Sequence, residues 1–451
     1  MHKKTALWAA LAAVLMGAQG AHAAVSAQEA AALGQSLNPL GGEKAGNKDG
    51  SIPAWTGPQG VAANGNKVGD IPVQPFPGEK PLVKITAQNM AQYADKLSEG
   101  TQALLKKYPD SFRVDVYPTH RTAAAPQYVY DNTAKNATAC QTKDGGKSLQ
   151  GCYGGIPFPI PKSGVEAIWN HLLRVENEAS EVGNFKNIVL TADGTRTLAT
   201  MNDQSNQYPY YYKDGTPEKW SGEYFLQRFS TIAPPFKAGE SLVFRDGIDV
   251  SQSRQAWQYL VGQRRVRRAP TVAYDTPDFV ASGANYFDEV MGLMGHVDRY
   301  DWKLVGKREM YVPYNDNEIV TASLDDAYGK HHLNPDKLRW ELHRVWEVEA
   351  NVASGKRHAV PKRKYYLDED SWMVLLMDGY DSEGKLWRTT QITPFVLPSV
   401  PMLALKPAHI FNLQANTMST TQSLNEATFK VAARKPEIHF TGDAVAAEGV
   451  R

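Results

Sequence analysis

The sequence predicts an α+β, mainly β protein: a large curved antiparallel sheet, or half-open β-barrel, covered by α-helices. From residue 184 onward, apolar positions recur with period two through ten or more segments joined by short polar connections. Asp193-Gly194 lies between two such segments and is a strong hairpin signal. Residues 86–108 and 164–175 have helical periodicity and can cover the apolar side of the sheet.

Residues 1–23 have the pattern of a secretory signal peptide. Two early lysines precede an apolar stretch that is too short to span a bilayer, and Ala21-His22-Ala23 forms a cleavage motif. We expect cleavage between Ala23 and Ala24 and export to the periplasm. Residue 24 is not the cysteine that a bacterial lipoprotein would carry there, so we expect no lipid anchor.

The charge of the chain is close to zero. It is +1 for all 451 residues and becomes −1 when the two lysines of the signal are removed. A nucleic-acid-binding protein benefits from a net positive charge, so this balance argues against nucleic acid as a partner. No later stretch reaches 18 uninterrupted apolar residues, which predicts no membrane helix.

The chain has two cysteines, Cys140 and Cys152, separated by a polar, glycine-rich stretch. In an oxidising compartment this spacing favours a structural disulfide, worth about 3 kcal/mol by loop entropy. A redox-active pair would need closer spacing, such as C-x-x-C.

The predicted organisation has five parts. They are a signal peptide (1–23), an N-terminal helix with an extended arm (24–85), a helical lid region with the disulfide loop (86–183), the antiparallel β half-barrel (184–397) and a C-terminal segment that packs on the barrel and frays at its end (398–451). Capping boxes at Ser26-x-x-Glu29 and Ser163-x-x-Glu166 predict two helix starts. Short strands are expected at 114–117 and 127–130.

Within the half-barrel, the predicted strands after the first hairpin are residues 208–213, 224–232, 241–244, 256–261, 264–268, 302–312, 338–352, 363–367, 373–380 and 386–394. Strict alternation in 302–312 places Trp302, Leu304, Arg308, Met310 and Val312 on one face. In 338–352 the tryptophans alternate with charged residues, and His343 is predicted to be an ordinary surface histidine. Residues 402–413 and 423–431 are weaker strand candidates.

Several sequence segments resemble a known family. They are residues 37–57 (LNPLGGEKAGNKDGSIPAWTG), 85–97, 116–121 (VYPTHR), 154–161, 168–174 (IWNHLLR), 262–277, 299–315 (RYDWKLVGKREMYVPYN), 331–349 and 380–388. In this order they resemble the exported proteobacterial family known as domain of unknown function 1329, often labelled "outer membrane lipoprotein-sorting protein". The strands also resemble the lipoprotein-carrier fold of the periplasmic Lol chaperones. The resemblance implies a half-open barrel over an apolar cavity, a hydrophobic ligand such as a lipid or lipoprotein, and an exporter or outer-membrane partner.

The main functional hypothesis is a periplasmic carrier or chaperone for a hydrophobic molecule. Its predicted cavity is lined by Trp257, Tyr259, Trp302, Leu304, Met310, Trp340, Leu342, Trp346, Val374 and Leu376. Each methylene that such a cavity removes from water contributes about 0.8 kcal/mol. The alternative is that these side chains form the ordinary core beneath the helices. A second hypothesis is an accessory subunit of an export system that binds no small ligand.

Four arginines lie in five positions: Arg264, Arg265, Arg267 and Arg268. They could bind an anionic head group or partner, because guanidinium pairs well with phosphate and carboxylate. They could instead pair with acidic residues of neighbouring strands, for which the candidates are Glu309, Glu341, Glu347 and Glu349. A third alternative is a solvated edge that prevents strand-to-strand aggregation.

The sequence gives no sign of an enzyme, a metal site or a cofactor. Histidines cluster around residues 331–358, but without the tight spacing of metal ligands. Asp368, Asp370, Asp378 and Asp381 lack the order of a calcium loop and are assigned to hairpin ends as turn formers. No G-x-S-x-G motif occurs, and a hydrolytic enzyme is therefore only a minor alternative.

Overall fold

The structure is a computed structural model and describes residues 25–57, 71, 74–252, 254–269, 272–397, 400, 402–404 and 406–449. The predicted signal peptide and its cleavage site therefore lie outside the described residues. Within these ranges, every helix is too short or too polar to traverse a lipid bilayer.

Twenty strands are defined in the described residues. They are β1 (Val83–Ile85), β2 (Val114–Val116), β3 (Gln141–Lys143), β4 (Ser148–Gln150), β5 (Ala179–Leu190), β6 (Arg196–Gln207), β7 (Glu223–Ala233), β8 (Ser241–Gly247), β9 (Gln255–Leu260), β10 (Arg265–Arg268), β11 (Tyr300–Pro313), β12 (Trp340–Val352), β13 (Lys362–Asp368), β14 (Val374–Tyr380), β15 (Leu386–Ile392), β16 (Phe395–Leu397), β17 (Met402–Ala404), β18 (Ala408–Asn412), β19 (Thr417–Ser423) and β20 (Thr428–Val431).

The α-helices are fewer and shorter. They are α1 (Ala27–Ala30), α2 (Glu99–Lys107), α3 (Gln127–Ala139), α4 (Gly164–Leu172), α5 (Asn317–Thr321), α6 (Leu324–Ala327) and α7 (Gly442–Gly449).

Sixteen of the strands form one open sheet in the order β1-β2-β12-β13-β14-β15-β18-β19-β5-β6-β7-β8-β9-β10, with β11 on β12 and β20 on β5. The pairings are antiparallel, apart from a single parallel bridge between β2 and β12. The sheet does not close on itself, because β1 and β10 stand at opposite ends of this order. The predicted mainly β fold with a large, unclosed antiparallel sheet is therefore confirmed.

The predicted hairpin at Asp193-Gly194 joins β5 to β6, and Gly194 has a φ of +87°, which favours glycine. Both predicted capping boxes also mark helix starts, and the first is complete, with the Glu29 carboxylate accepting from the Ser26 N–H. The Ser26 hydroxyl accepts from the Glu29 N–H before α1, and the Ser163 hydroxyl accepts from the Glu166 N–H before α4.

The predicted single helix over residues 86–108 is wrong. The chain forms a 3₁₀ helix at Met90–Lys96, breaks, and restarts as α2, where the Ser98 hydroxyl accepts from the Thr101 N–H. Helix α2 packs on β14 and β15, and Gly100 is required there because a Cβ atom would collide with Asp378 and Thr389. Helix α4 packs on β11 and β12, so both predicted cover helices do lie on the sheet.

Four other segments differ from their predicted structure. Residues 127–130 begin α3 rather than a strand, and residues 208–213 form a 3₁₀ turn at Pro209–Tyr211. Residues 402–413 are divided between β17 and β18, and β20 covers only the end of 423–431. The C-terminal segment forms α7, which contacts β8, β9 and β10, and Val445 of α7 shares a small hydrophobic cluster with Phe440, which precedes the helix.

Candidate functional site

The ten side chains predicted to line one cavity are divided between two hydrophobic clusters. Tyr259 belongs to a small cluster beneath α7, and Trp257 packs against that cluster. The other eight belong to the main core or pack against it. Of these, five are buried and three are half-buried; the half-buried ones are Trp302, Leu304 and Trp346. The structure thus separates the two residues of β9 from the other eight, which belong to the main core or its margin.

A β-bulge divides the residues predicted to share one face of β11. The register shifts between Leu304 and Gly306, and Gly306 has a φ of +144°. Trp302 then pairs with Ala350, whereas Met310 pairs with His343. Because side chains alternate along a strand, these two partners point to opposite faces of β12. The prediction that Trp302 and Met310 lie on the same face is therefore wrong.

One hollow inside the sheet is too small for a lipid. It lies between strands β5 to β8 and the segment 272–299, and its apolar lining includes Phe229, Phe244, Phe287 and Met294. Its volume is about 30 Å³. That space holds roughly two water molecules, since one needs at least about 10–15 Å³. At this position the segment 272–299 fills the face of the sheet.

Buried ion pairs hold the segment 272–299 in place. Asp288 accepts from Arg363 of β13 at 2.7 Å, and Glu289 pairs with Arg388 of β15 at 2.5 Å. Burial by itself would raise the pKa of Asp288, but the neighbouring Arg363 guanidinium and His358 outweigh it and hold that pKa below its usual range. The segment is thus attached to the sheet by charges that have no access to water.

A cleft of about 960 Å³ lies beside the disulfide. It lies between the β3–β4 hairpin, the first turn of α4 and the start of β11. Val165, Val297, Tyr300 and Trp302 supply its apolar side chains, and Lys143, Asp144, Lys147 and Asp301 supply charged ones. The volume is at the upper end of the range that small-molecule sites usually occupy. Trp302 is the one predicted cavity residue that lines it.

The walls of this cleft are fixed by specific contacts. The Cys140–Cys152 disulfide, which confirms the predicted pairing, closes the hairpin. The Trp169 indole of α4 donates to the Gly146 carbonyl of the hairpin at 2.8 Å. On the opposite wall, the Trp302 indole donates to the Val297 carbonyl at 2.8 Å, and its ring contacts Tyr300 and Tyr365. The cleft is therefore preformed.

The four clustered arginines lie on the last strand of the sheet or in the turn before it, and all four side chains are exposed. Within the described part of the chain, none of them makes an ion pair. Arg267 donates to Gln258, and Arg268 lies 5.9 Å from the Trp257 ring centroid. The suggested acidic partners are occupied elsewhere: Glu341 by Arg339, Glu347 by Arg308, Glu349 by Lys362, and Glu309 accepts from Asn47. Among the described residues, pairing of these arginines with acidic residues of neighbouring strands is therefore not observed, and the anion-binding and edge-protection hypotheses remain.

A second set of charges, which we term the buried ionic cluster, consists of Arg121, Lys307, Arg344, Glu369 and Asp370. Arg121 forms a bidentate pair with Asp370, with both nitrogen–oxygen distances at 2.7 Å. Glu369 accepts from Lys307 at 2.8 Å and from Arg344 at 3.2 Å. Burial lowers the pKa of Arg121, but Asp370 more than compensates and raises it overall. Paired in this way, the charges tolerate an environment almost without water.

Next to this cluster, Asp368 and His343 face each other. Both are buried, which contradicts the prediction that His343 is a surface residue. Asp368 and Asp370 do lie at the hairpin end between β13 and β14, as predicted, and Asp368 accepts from Ser371 within that turn, but both carboxylates are buried. His343 Nε2 lies 3.0 Å from a Glu341 carboxylate oxygen, and the Tyr314 ring stacks on the imidazole at 3.8 Å between centroids. Burial, followed by the charge of Asp370, raises the pKa of Asp368.

The N-terminal arm covers both groups. Asn38 donates to Asp370 at 2.6 Å, the Glu43 carbonyl accepts from Arg121 at 2.7 Å, and the Leu40 carbonyl accepts from the Trp372 indole at 2.8 Å. Four of the segments that carry the family resemblance therefore meet here. They are residues 37–57, 116–121, 299–315 and 331–349. Sequence reasoning did not find this site, because nothing in the separate segments shows that they converge.

These features define the class of protein: a mainly β domain with a large open sheet, short covering helices, a preformed cleft and a buried ionic cluster. The chain belongs to the family described as "Protein of unknown function (DUF1329)", whose model matches residues 84–446. An uncharacterized protein of Pseudomonas aeruginosa is 43% identical over 383 residues, which cover 82% of this chain and 81% of that protein. The predicted family membership is confirmed.

Among solved structures, a Vibrio parahaemolyticus domain proposed to be an outer membrane lipoprotein-sorting protein aligns with 63% of this chain and 98% of its own, at 12% identity and a TM-score of 0.43. A DUF1329 family protein from Desulfovibrio piger aligns with 60% of this chain and 92% of its own, at 13% identity and a TM-score of 0.40. A LolA superfamily protein from Nitrosomonas europaea aligns with 63% and 100%, at 10% identity and a TM-score of 0.36.

Proposed function

We propose that this protein is a periplasmic carrier that binds a lipid, a lipoprotein acyl chain or another hydrophobic molecule and passes it to an outer-membrane or exporter partner. It acts by binding and release and catalyses no reaction. The signal-like pattern of residues 1–23 and the Cys140–Cys152 disulfide support an oxidising, exported location.

The observation that carries the proposal is the cleft beside the disulfide. Its apolar side chains, Val165, Val297, Tyr300 and Trp302, can shelter part of an acyl chain, at about 0.8 kcal/mol per methylene removed from water. Lys143 and Lys147 lie in the same cleft and suit a carboxylate or phosphate head group. With Asp144 and Asp301 also in the lining, an amphipathic ligand with a charged or polar head matches this combination better than a wholly apolar one.

Delivery needs a second surface, and the exposed arginines of β10 and its preceding turn supply one. Arg264, Arg265, Arg267 and Arg268 make no ion pair with any carboxylate in the described residues, so a partner surface or membrane head groups can use their charge. In this proposal the cleft holds the cargo, and the arginine edge guides the loaded protein to an acidic acceptor.

The cleft is tested by titrating the purified protein with phenylnaphthylamine, a neutral apolar dye, and then displacing the dye with palmitate. Replacing Trp302 by Ala removes the indole from the cleft, and burying a large apolar side chain is worth about 1.5–3 kcal/mol. We expect the affinity for the dye to fall about tenfold or more. The Trp387→Ala variant is the matched control, because Trp387 is also half-buried but lies on β15, outside the cleft.

If the affinity for the dye falls equally in Trp302→Ala and Trp387→Ala, the cleft is not the binding site. A wild-type protein that binds neither the dye nor palmitate would favour the accessory-subunit hypothesis instead.

A further inference from the structure

One buried carboxylate, Asp368, has only half of its hydrogen-bonding capacity used. Its Oδ2 atom accepts from the Tyr314 hydroxyl at 3.0 Å, the Ser371 N–H at 2.9 Å and the Ser371 hydroxyl at 2.6 Å. Its Oδ1 atom has no hydrogen-bond partner among the described residues, although the side chain is fully buried. A buried carboxylate oxygen without a partner is costly, which calls for a group that satisfies it.

The atom that faces this oxygen is Nδ1 of His343, at a distance of 3.7 Å. That separation is too long for a hydrogen bond. It is close to the separation of two ligands that share one metal ion, since bonds of about 2.1 Å with an angle of roughly 120° place their outer atoms about this far apart.

His343 is held in the orientation that a metal ligand needs. Its Nε2–H donates to Glu341 at 3.0 Å, so in the neutral ring the lone pair of Nδ1 points toward Asp368. Glu341 is itself fixed by Arg339 at 2.5 Å and Asn315 at 2.9 Å. A carboxylate behind a histidine is the usual outer-shell support of a protein metal site.

A third ligand comes from Asp370, because its carboxylate, Asp368 and His343 offer one ligand atom each within 4.8 Å of one another. Asp370 already pairs with Arg121, just as the neighbouring Glu369 pairs with Lys307 and Glu341 with Arg339. Asp368 has no lysine or arginine partner in the described residues. Asp368, whose Oδ1 atom lacks a hydrogen-bond partner, is therefore also the carboxylate whose negative charge is not balanced by a lysine or arginine.

We propose that His343, Asp368 and Asp370 bind a divalent transition-metal ion, of which Zn²⁺ is the best match to one imidazole and two carboxylates. The ion joins β12 to the turn that follows β13. Asn38 and Glu43 of the N-terminal arm make hydrogen bonds to that turn. The ion therefore also stabilises the surface on which the arm packs. This role is structural and independent of the cleft.

The test uses untagged full-length mature protein, stripped with a chelator and then dialysed against Zn²⁺. We expect about one zinc ion per chain by elemental mass spectrometry and a higher melting temperature with zinc than without it. Asp368→Asn and His343→Gln should lose the bound zinc and the shift in melting temperature.

The matched control is Asp378→Asn. Asp378 is equally buried, but its oxygens accept from Gly100 and Thr389, and it does not belong to the group around His343. This variant should retain the zinc. The proposal is overturned if the wild-type chain binds no stoichiometric zinc, or if Asp368→Asn binds zinc as the wild type does.

Discussion

Two arginine-rich regions of this protein behave in opposite ways. The arginines of β10 and its preceding turn are dense in sequence, exposed in the structure and free of ion pairs within the described residues. Arg121, Arg344, Arg363 and Arg388 are widely spaced in sequence, yet each is buried and holds a carboxylate. In this chain the dense arginine cluster therefore lies at a solvated edge, whereas four arginines from distant parts of the sequence form the buried connections.

The reason is the cost of taking charge out of water. A guanidinium can be buried when a carboxylate meets it with good geometry, as Asp370 meets Arg121. Four adjacent arginines cannot each find such a partner in a packed interior, so they remain at the edge of the sheet. The exposed group is thereby available for a partner, and the buried group fixes the fold.

The largest expected effect is on a buried arginine. Replacing Arg121 by Met leaves Asp370 buried without its cation, and the free energy of unfolding should fall by about 3–5 kcal/mol. Urea unfolding at neutral pH measures this, with Arg265→Met as the exposed control, for which we expect a change within about 0.5 kcal/mol. If the free energy of unfolding falls by a similar amount in both variants, the buried and the exposed arginines do not differ in their contribution to stability.

Acid should weaken the buried pairs selectively. The pKa of Asp288 is lower in the folded state than in the unfolded chain, so its pair with Arg363 stabilises the fold above about pH 4 and is lost as the pH falls further. Asp288→Asn should cost about 3 kcal/mol or more at pH 7, and its difference from the wild type should narrow toward pH 3. A difference that stays constant with pH would show that the charge of Asp288 contributes little.

The smallest expected effect on stability belongs to the exposed arginines. Replacing Arg264 and Arg265 together by Ala should change the free energy of unfolding by less than about 0.5 kcal/mol, yet weaken binding to anionic phospholipid vesicles at low salt. The matched control replaces Lys106 and Lys107, two exposed cations on α2. Unchanged vesicle binding, or equal weakening in the control, would leave edge protection as the role of the arginines.

Much of the sheet follows from sequence periodicity. The strands predicted at 256–261 and 302–312 match β9 and β11 to within two residues, because alternation and turn residues both act locally. Residues 127–130 were mistaken for a strand because Tyr128, Val129 and Tyr130 are typical strand residues. The longer helix is favoured by tertiary contacts, among them hydrogen bonds from Asn136 to the carbonyls of Tyr153 and Gly155.

The sites were only partly predictable. Trp302 was identified from its strand, but the hairpin that faces it across the cleft is more than 150 residues away in sequence. His343 was assigned to a wet face because it follows Arg339 and Glu341 in a series of alternating charged positions. Arg339 and Glu341 instead form an ion pair, and a sequence without its contacts does not distinguish a solvated charge from a paired one.

Native mass spectrometry of the wild type and the Trp302→Ala variant, both purified from the periplasm under non-denaturing conditions, tests the proposed carrier function most directly. The account predicts a wild-type chain carrying an added mass that dissociates as a lipid or fatty acid, and a variant that has largely lost it. A wild-type chain at its bare polypeptide mass, or a variant that keeps the same adduct in full, would contradict it.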